Sequence, residues 1–337
     1  MLLLNYQIVR AINTSWYNQD KNKMTDNNGI RSGSLQFYPR VRAKKVIPSV
    51  NWKPISKEGV GFMGFVGYKV GMISVWAKDN SDQSMTKGKR IAIPSTILEC
   101  PIMKIYSVRF YKDGKVSKDI VVSKDKDLKK SVKLPKSVKE LGDDNDFDDV
   151  RVIMYSGVKK TCVDKNKADM VEVGVSGSKD EKLTFIKENI GKEISVSDVF
   201  EKGLVDVRAV TKGYGTQGPV KRFGISLKSH KSEKGRRRPG SLAPWHPARV
   251  TFRAPQAGQT GYHSRITYNN LILEIGKISE KDINKKGGFE HYGVIKTDYL
   301  ILKGSIPGPQ KRGIIVTYPI RPTRYQEKKN FEVIELR

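Results

Sequence analysis

The sequence predicts a mainly β protein: an antiparallel β-barrel that carries an inserted α+β domain and long basic extensions. Three observations predict it. Short apolar runs alternate with polar or small residues and are punctuated by glycine, while helical stretches between them are scarce, which suits a closed antiparallel sheet better than a parallel one. One lysine-rich segment in the middle of the chain changes to a mixed helix and strand pattern. Two further stretches are dense in Lys, Arg, Gly and Pro and too poor in aliphatic residues to form a core.

Length and charge bound the answer. The 337 residues suffice for one large domain or two, with a sizeable core even when the extensions are set aside. Against 63 Lys and Arg stand 35 Asp and Glu, a formal net charge of +28. Such a charge destabilises a compact state by self-repulsion and makes sense mainly where phosphates neutralise it. Membrane-surface binding is the competing explanation, but no uninterrupted apolar run approaches the roughly 20 residues of a spanning helix. Cys100 and Cys162 are too few and too isolated for a zinc site and read as reduced thiols. Neither metal nor cofactor is expected.

In chain order, residues 1–30 are expected to be a disordered extension, and because Met24 offers a second plausible start, residues 1–23 are either genuine or a misassigned start. The leading MLLLNYQIVR falls far short of a signal-peptide apolar region, so a cytosolic protein is expected. Residues 31–60 form a basic N-terminal extension. From Arg31 to Lys57 there are seven cations and no acid, Pro39, Pro48 and Pro54 prevent helix, and Phe37, Tyr38 and Trp52 are interleaved with the charges. That mixture points to nucleic-acid contact rather than to a solvated tail.

The barrel is assigned to residues 61–105, 190–212 and 263–337. Its strands are read in the runs after Gly61, especially Met72 to Ala77, then in RIAIPSTILEC, VDVRAV, LILEIG, VIKTDYLILKG, GIIVTYPI and FEVIEL. Residues 106–189 form the inserted α+β domain. YSVRFYKDGK carries Asp113 and Gly114 as a hairpin signal, and DVRVIMYSG is a further strand. Ser178 and Glu181 make a capping box for a helix that has Leu183, Ile186 and Ile190 on one face and stops at Gly191.

Residues 213–262 are a basic loop. Between Ala209 and Ser264 eleven cations face one acid, Glu233, a net charge of +10 over 56 residues. Thirteen Gly and Pro and only five Ile, Leu or Val lie between Gly213 and Tyr262, so the stretch is expected to be a coreless arm ordered against a polyanion. Its candidate phosphate contacts are Lys221, Arg222, Lys228, Lys231 and Lys234, the run Arg236, Arg237 and Arg238, then Arg249 and Arg253. His230, and His263 with Arg265 just beyond the arm, add donors. Arg31, Arg40, Arg42, Lys44 and Lys45 are the candidates in the N-terminal extension. Trp245 with His246, held between Pro244 and Pro247, reads as a rigid tip; the bland alternative packs Trp245 back into the barrel.

Three apparent motifs fail. Gly213, Gly215 and Gly218 fit G-x-G-x-x-G, but Pro219 follows at once, no helical period appears, and only Glu233 stands where a ribose-binding acid is needed. Asp144, Asp146 and Asp148 resemble a calcium loop that lacks the later Gly and Glu. The glycines at 61, 64, 67 and 71 near Lys69 do not have P-loop spacing, and they suggest barrel corners or close approach of backbone to RNA. No nucleophile and base stand at useful spacing, so no catalytic residue is assigned and no small-molecule substrate is expected. A free-standing nucleic-acid chaperone would share the charge but would need no single-Trp tip.

HKSEKGRRRPGSLAPWHPARVTFRAPQAGQTGYHSR, with the preceding VSDVFEKGLVDVRAVTKGYGTQGPVKRFGI, resembles the archaeal and eukaryotic branch of the ribosomal protein L three family; GSLQFYPRVRAKK and GFVGYKVGM are similar to the same family. The resemblance spans about residues 31–337, and residues 1–30 match nothing in it. It implies a barrel related to those of translation factors and a loop that enters large-subunit rRNA. Trp245 matches the loop tip that approaches the peptidyl transferase centre, His230 to Arg238 the rRNA-clamping flank, and Arg31 to Lys57 an rRNA-threading extension. It also implies a role in ribosome assembly, rRNA and neighbouring large-subunit proteins as partners, and a cytoplasmic place in the ribosome, with no enzymatic activity.

Overall fold

The computed structural model describes residues 37–138, 141–142, 147–231 and 234–337. Residues 1–30, Arg31, Glu233 and the acids Asp144 and Asp146, all of which entered the sequence reading, lie outside them. The chain divides into two compact units, one of residues 1–42 with 212–263 and the other of 43–211 with 264–337.

The larger unit is built from strands. A ring of six antiparallel strands runs in the order β2 (Gly64–Asp79), β3 (Arg90–Cys100), β12 (Asp298–Lys303), β11 (Ser264–Gly276), β8 (Leu204–Val210) and β13 (Gly313–Thr317). It closes because β13 pairs with β8 through Ile315↔Arg208 and with β2 through Ile314↔Gly67. β14 (Phe331–Leu336) adds to β2 farther along, with Val333 opposite Ala77. Closure leaves the ring no unpaired edge at β13.

All seven residues of β8 are buried. Its alternation would send Asp206 and Arg208 to solvent, and each is instead satisfied inside. Asp206 accepts from the backbone N–H of Asn269 (2.9 Å) and of Ile320 (3.0 Å), and Arg208 Nη1 donates to Thr317 Oγ1. A buried charge is tolerable only with such partners.

A second sheet of five strands has the order β1 (Gly61–Phe62), β7 (Met170–Ser176), β6 (Asp149–Ser156), β4 (Met103–Lys112) and β5 (Lys115–Val121). Asp113 (φ 52°) and Gly114 (φ 72°) both take positive φ between β4 and β5, the two-residue hairpin geometry that an Asp-Gly pair suits. α1 (Lys179–Asn189) has the Ser178/Glu181 capping box, with the Ser178 N–H donating to Glu181 Oε2 at 2.9 Å. It buries Leu183 and Ile186 and ends before Gly191 (φ 80°). One hydrophobic cluster runs through both sheets, from Phe65, Val66 and Leu98 to Val108, Val152 and Val173.

Trp52 corrects the sequence reading. Placed there among nucleic-acid-facing aromatics, it is only 2% exposed and belongs to this cluster with Ile55. The reason lies in two glycines. A Cβ at Gly64 would lie 2.7 Å from Trp52 Cη2, and one at Gly174 would lie 3.1 Å from Trp52 Cγ, so the indole fills a slot that neither strand obstructs. Gly67 likewise makes room for Cys100 and Leu98. These glycines permit close approach of protein to protein rather than to RNA.

Candidate nucleic-acid interface

The smaller unit holds the basic arm. Of its described residues between 213 and 262 none is buried, as expected of a chain too poor in aliphatic residues to build a core. The arm nevertheless has regular structure, which its glycine and proline content does not suggest. β9 (Gly213–Gln217) and β10 (Gly258–Gly261) pair as an antiparallel ribbon with Gln259 opposite Thr216. A bulge adds one residue to β9, and Gly215 (φ 68°) supplies the left-handed conformation there. At Gly261 a Cβ would collide with the Lys212 carbonyl oxygen. Nothing apolar alternates in GYGTQ or GQTG, so periodicity could not reveal the ribbon.

A short helix, α2 (Pro219–Phe223), follows the ribbon, although Pro219 was taken to exclude one. Pro sits at the first turn, where its missing N–H is unneeded, and Gly224 (φ 67°) closes the helix by donating to Val220 O at 2.9 Å. Five residues are too short to hold a dinucleotide.

Arg222 fastens the base of the arm. Its Nε donates to Gln259 O (3.1 Å) and its Nη1 to Gln256 O (2.9 Å). Gly258 provides the space, since a Cβ there would lie 3.0 Å from Arg222 Cζ. The N-terminal segment docks on the same spot. Arg40 Nη1 donates to Arg222 O (2.8 Å) and its guanidinium lies 4.2 Å from the Phe223 ring centroid. Tyr38 packs edge-on to Phe252 at 5.8 Å, and His263 Nδ1 donates to Val41 O (2.9 Å), which fixes its tautomer. Burial, with Arg40 adding repulsion, lowers the Arg222 pKa. Arg40 and Arg222 therefore hold protein to protein, a role that a count of cations does not reveal.

The remaining candidates divide by exposure. Lys221, Lys231, Lys234, Arg236, Arg237, Arg238, Arg249 and Arg253 are exposed, and Lys228 is half-buried. Among the described residues no ion pair includes any of those eight. Arg236 is partly engaged, because its Nε donates to Lys228 O (3.2 Å) while Lys228 N donates to Arg236 O (3.1 Å), pinning the turn that carries His230. Arg237 and Arg238 are left outward. Cations over aromatic rings stiffen the base, with Lys221 Nζ 4.6 Å from the Tyr214 centroid and Arg42 Cζ 5.1 Å from that of Tyr262. Sequence reasoning missed Tyr214, Tyr262 and Phe252; their alternation with cations was the available signal.

Trp245 is 89% exposed, so it does not pack back into a core. Its only described aromatic neighbour is His246, with ring centroids 6.3 Å apart and planes at 86°. In the larger unit, Lys44 and Lys45 are exposed, while Arg265 is half-buried on β11 and donates through Nη1 to Ser264 O (2.9 Å). An exposed Trp at the far part of a cationic, acid-poor arm can offer phosphate neutralisation and one stacking surface. Among the described residues no cluster of His, Cys, Asp and Glu is arranged to hold a metal ion.

Comparison with known proteins gives one answer. The family model described as Ribosomal protein L3 matches residues 24–133 and 109–336. The chain is 40% identical over 308 residues to the large ribosomal subunit protein uL3 of Archaeoglobus fulgidus, covering 87% of this chain and 92% of that one. It is 38% identical over 318 residues to that of Methanothermobacter thermautotrophicus, covering 88% and 94%. With that of Methanothrix thermoacetophila it shares 40% over 311 residues, covering 87% and 91%.

Proposed function

The chain belongs to the ribosomal protein L3 family, and from that membership we propose that it is a structural constituent of the large ribosomal subunit. In this reading it binds large-subunit rRNA, helps nucleate its folding during assembly and reaches toward the peptidyl transferase centre. The observation that carries the proposal is the arm: eight exposed cations, no buried described residue, and a Trp245 side chain 89% exposed. The closed six-strand ring is read as a translation-factor-like barrel, residues 106–189 as its α+β insertion and 213–262 as the rRNA-entering loop. Neighbouring large-subunit proteins are the other partners, in cytoplasmic ribosomes, and no catalytic step is assigned to the chain.

Each part has a separable task. The cations neutralise backbone phosphates and supply affinity without reading sequence. Arg222 and Arg40 fix where the arm leaves its base, and Trp245 with His246 sets the position of the tip. Sedimentation tests the proposal. The chain is expected to remain with large subunits through a high-salt wash; its release into the free fraction would refute a structural role and favour a loosely bound chaperone.

A further inference from the structure

A second cationic surface lies in the larger unit, away from both basic stretches in sequence, around α3 (Arg324–Glu327) and the end of β12. Two hollows meet there. One, of about 590 Å³, is lined by the 79–86 loop, Lys303, Tyr325, Lys328, Lys329 and Phe331. The other, of about 250 Å³, is lined by Tyr268, Asn269 and Gln326 and again by Lys303 and Lys329. The two lysines thus stand between Tyr325, which is 68% exposed, and Tyr268, which is 52% exposed.

The lysines are poised for an anion. Lys303 Nζ lies 4.6 Å from the Phe331 ring centroid and Lys329 Nζ 4.5 Å from that of Tyr325. Burial, and then repulsion from Lys329, lower the Lys303 pKa. Of the nearby acids, Asp79 raises the Lys303 pKa by less than burial and Lys329 lower it, and neither Asp79 nor Asp82 forms an ion pair with these lysines. Asp79 accepts from Ser84 Oγ (2.6 Å), Thr86 Oγ1 (2.5 Å) and Ser81 N (3.0 Å), and Asp82 pairs with Lys87 at 2.9 Å. Among the described residues Lys303, Lys328 and Lys329 are in no ion pair. The wall is firm as well, because those three bonds to Asp79 order its loop and Asn269 Nδ2 ties the α3 N-cap through Thr323 Oγ1 at 2.9 Å.

We propose that this surface is a second RNA site, which takes a dinucleotide step of unpaired RNA with its phosphate on Lys303 and Lys329 and its bases on Tyr325 and Tyr268. It deepens the rRNA-binding reading and rests on it. An acidic protein segment would use the lysines equally well. Two exposed aromatic faces flanking one cationic point fit alternating base and phosphate better than a run of carboxylates.

The test uses the full chain and protein-free large-subunit rRNA, with Arg237 and Arg238 replaced by Ala so that the arm does not mask the effect. Tyr325→Ala and Tyr268→Ala are each expected to weaken binding about 5- to 100-fold, Tyr325→Phe to bind like the parent, and Lys329→Ala to flatten the log-log salt slope by about 0.7. Ultraviolet crosslinking should yield RNA adducts at Tyr325. Changes below twofold for both Tyr→Ala variants, or the absence of an RNA adduct at Tyr325, overturn the second site while leaving arm-mediated binding intact. Failure of the unsubstituted chain to bind rRNA at all would overturn the wider reading along with it.

Discussion

Replacing Trp52 by Ala distinguishes a core residue from a nucleic-acid contact. The indole is 2% exposed, and its removal leaves a large cavity beside β2 and β7. Losses for buried Trp or Phe of this kind are about 3–5 kcal/mol. Gly64→Ala attacks the same slot from the other side: its Cβ would lie 2.7 Å from Trp52 Cη2 and 3.0 Å from the Val316 carbonyl oxygen. Overpacking there costs about 1–3 kcal/mol. In a Trp52→Ala background the indole is gone and only the carbonyl contact remains, so the second substitution should cost at least about 1 kcal/mol less than it does alone. Urea unfolding of the four chains, monitored by circular dichroism, gives the cycle. Additivity within about 0.5 kcal/mol would show that the two residues do not share a slot, and a Trp52→Ala chain of unchanged stability but weakened RNA binding would restore the sequence-based reading.

Three further outcomes are expected. If the eight exposed arm cations each neutralise one phosphate, binding to rRNA should have a log-log salt slope of about −6 to −7, and Arg237→Ala with Arg238→Ala should flatten it by about 1.4–1.8; an unchanged slope in a filter-binding titration would turn those side chains to solvent. Trp245→Ala should leave rRNA affinity and thermal unfolding near the parent values and alter tRNA accommodation on reconstituted subunits, whereas a lowered unfolding temperature would make Trp245 a packing residue. Burial opposes ionisation of Asp79, but its hydrogen bonds from Ser84, Thr86 and Ser81 outweigh this and hold the carboxyl well below the usual carboxylate range. Its folded pKa lies below its unfolded one, so its contribution is complete above about pH 4 and is lost as pH falls below that. Asp79→Asn should therefore be less stable near neutrality and less sensitive to acid, and parallel acid-unfolding curves for the two chains would refute this.

Local signals were legible where one residue type has one physical use. The Asp113–Gly114 turn, the Ser178/Glu181 cap and the run Arg90–Cys100 all stand in the structure where the sequence put them. Long-range placement was not. The glycines at 64 and 67 look like corners in one dimension and are openings for Trp52 and for Cys100 with Leu98 in three. The β9–β10 ribbon is held by backbone pairing and by Arg222, neither of which leaves an apolar period. The arm's charge and lack of a core could be counted from composition, whereas the internal duties of Arg40, Arg222 and Arg236 depend on which carbonyl each meets. The surface around Lys303 and Lys329 escaped notice because its parts come from β11, β12, α3 and the 79–86 loop.

The way β2 is paired has a consequence for how the chain is made. One edge of β2 is covered by β3, which follows within about twenty residues, but the other is shared by β13 at Gly64–Tyr68 and β14 at Val75–Asp79. Those strands are translated about 250 residues later, and at about 5–20 residues per second the nascent chain carries an open, apolar strand edge for roughly 12 to 50 seconds. During that interval the cationic arm also emerges. The newborn chain thus presents an unpaired strand edge and a cationic arm at the same time, until the last strands arrive.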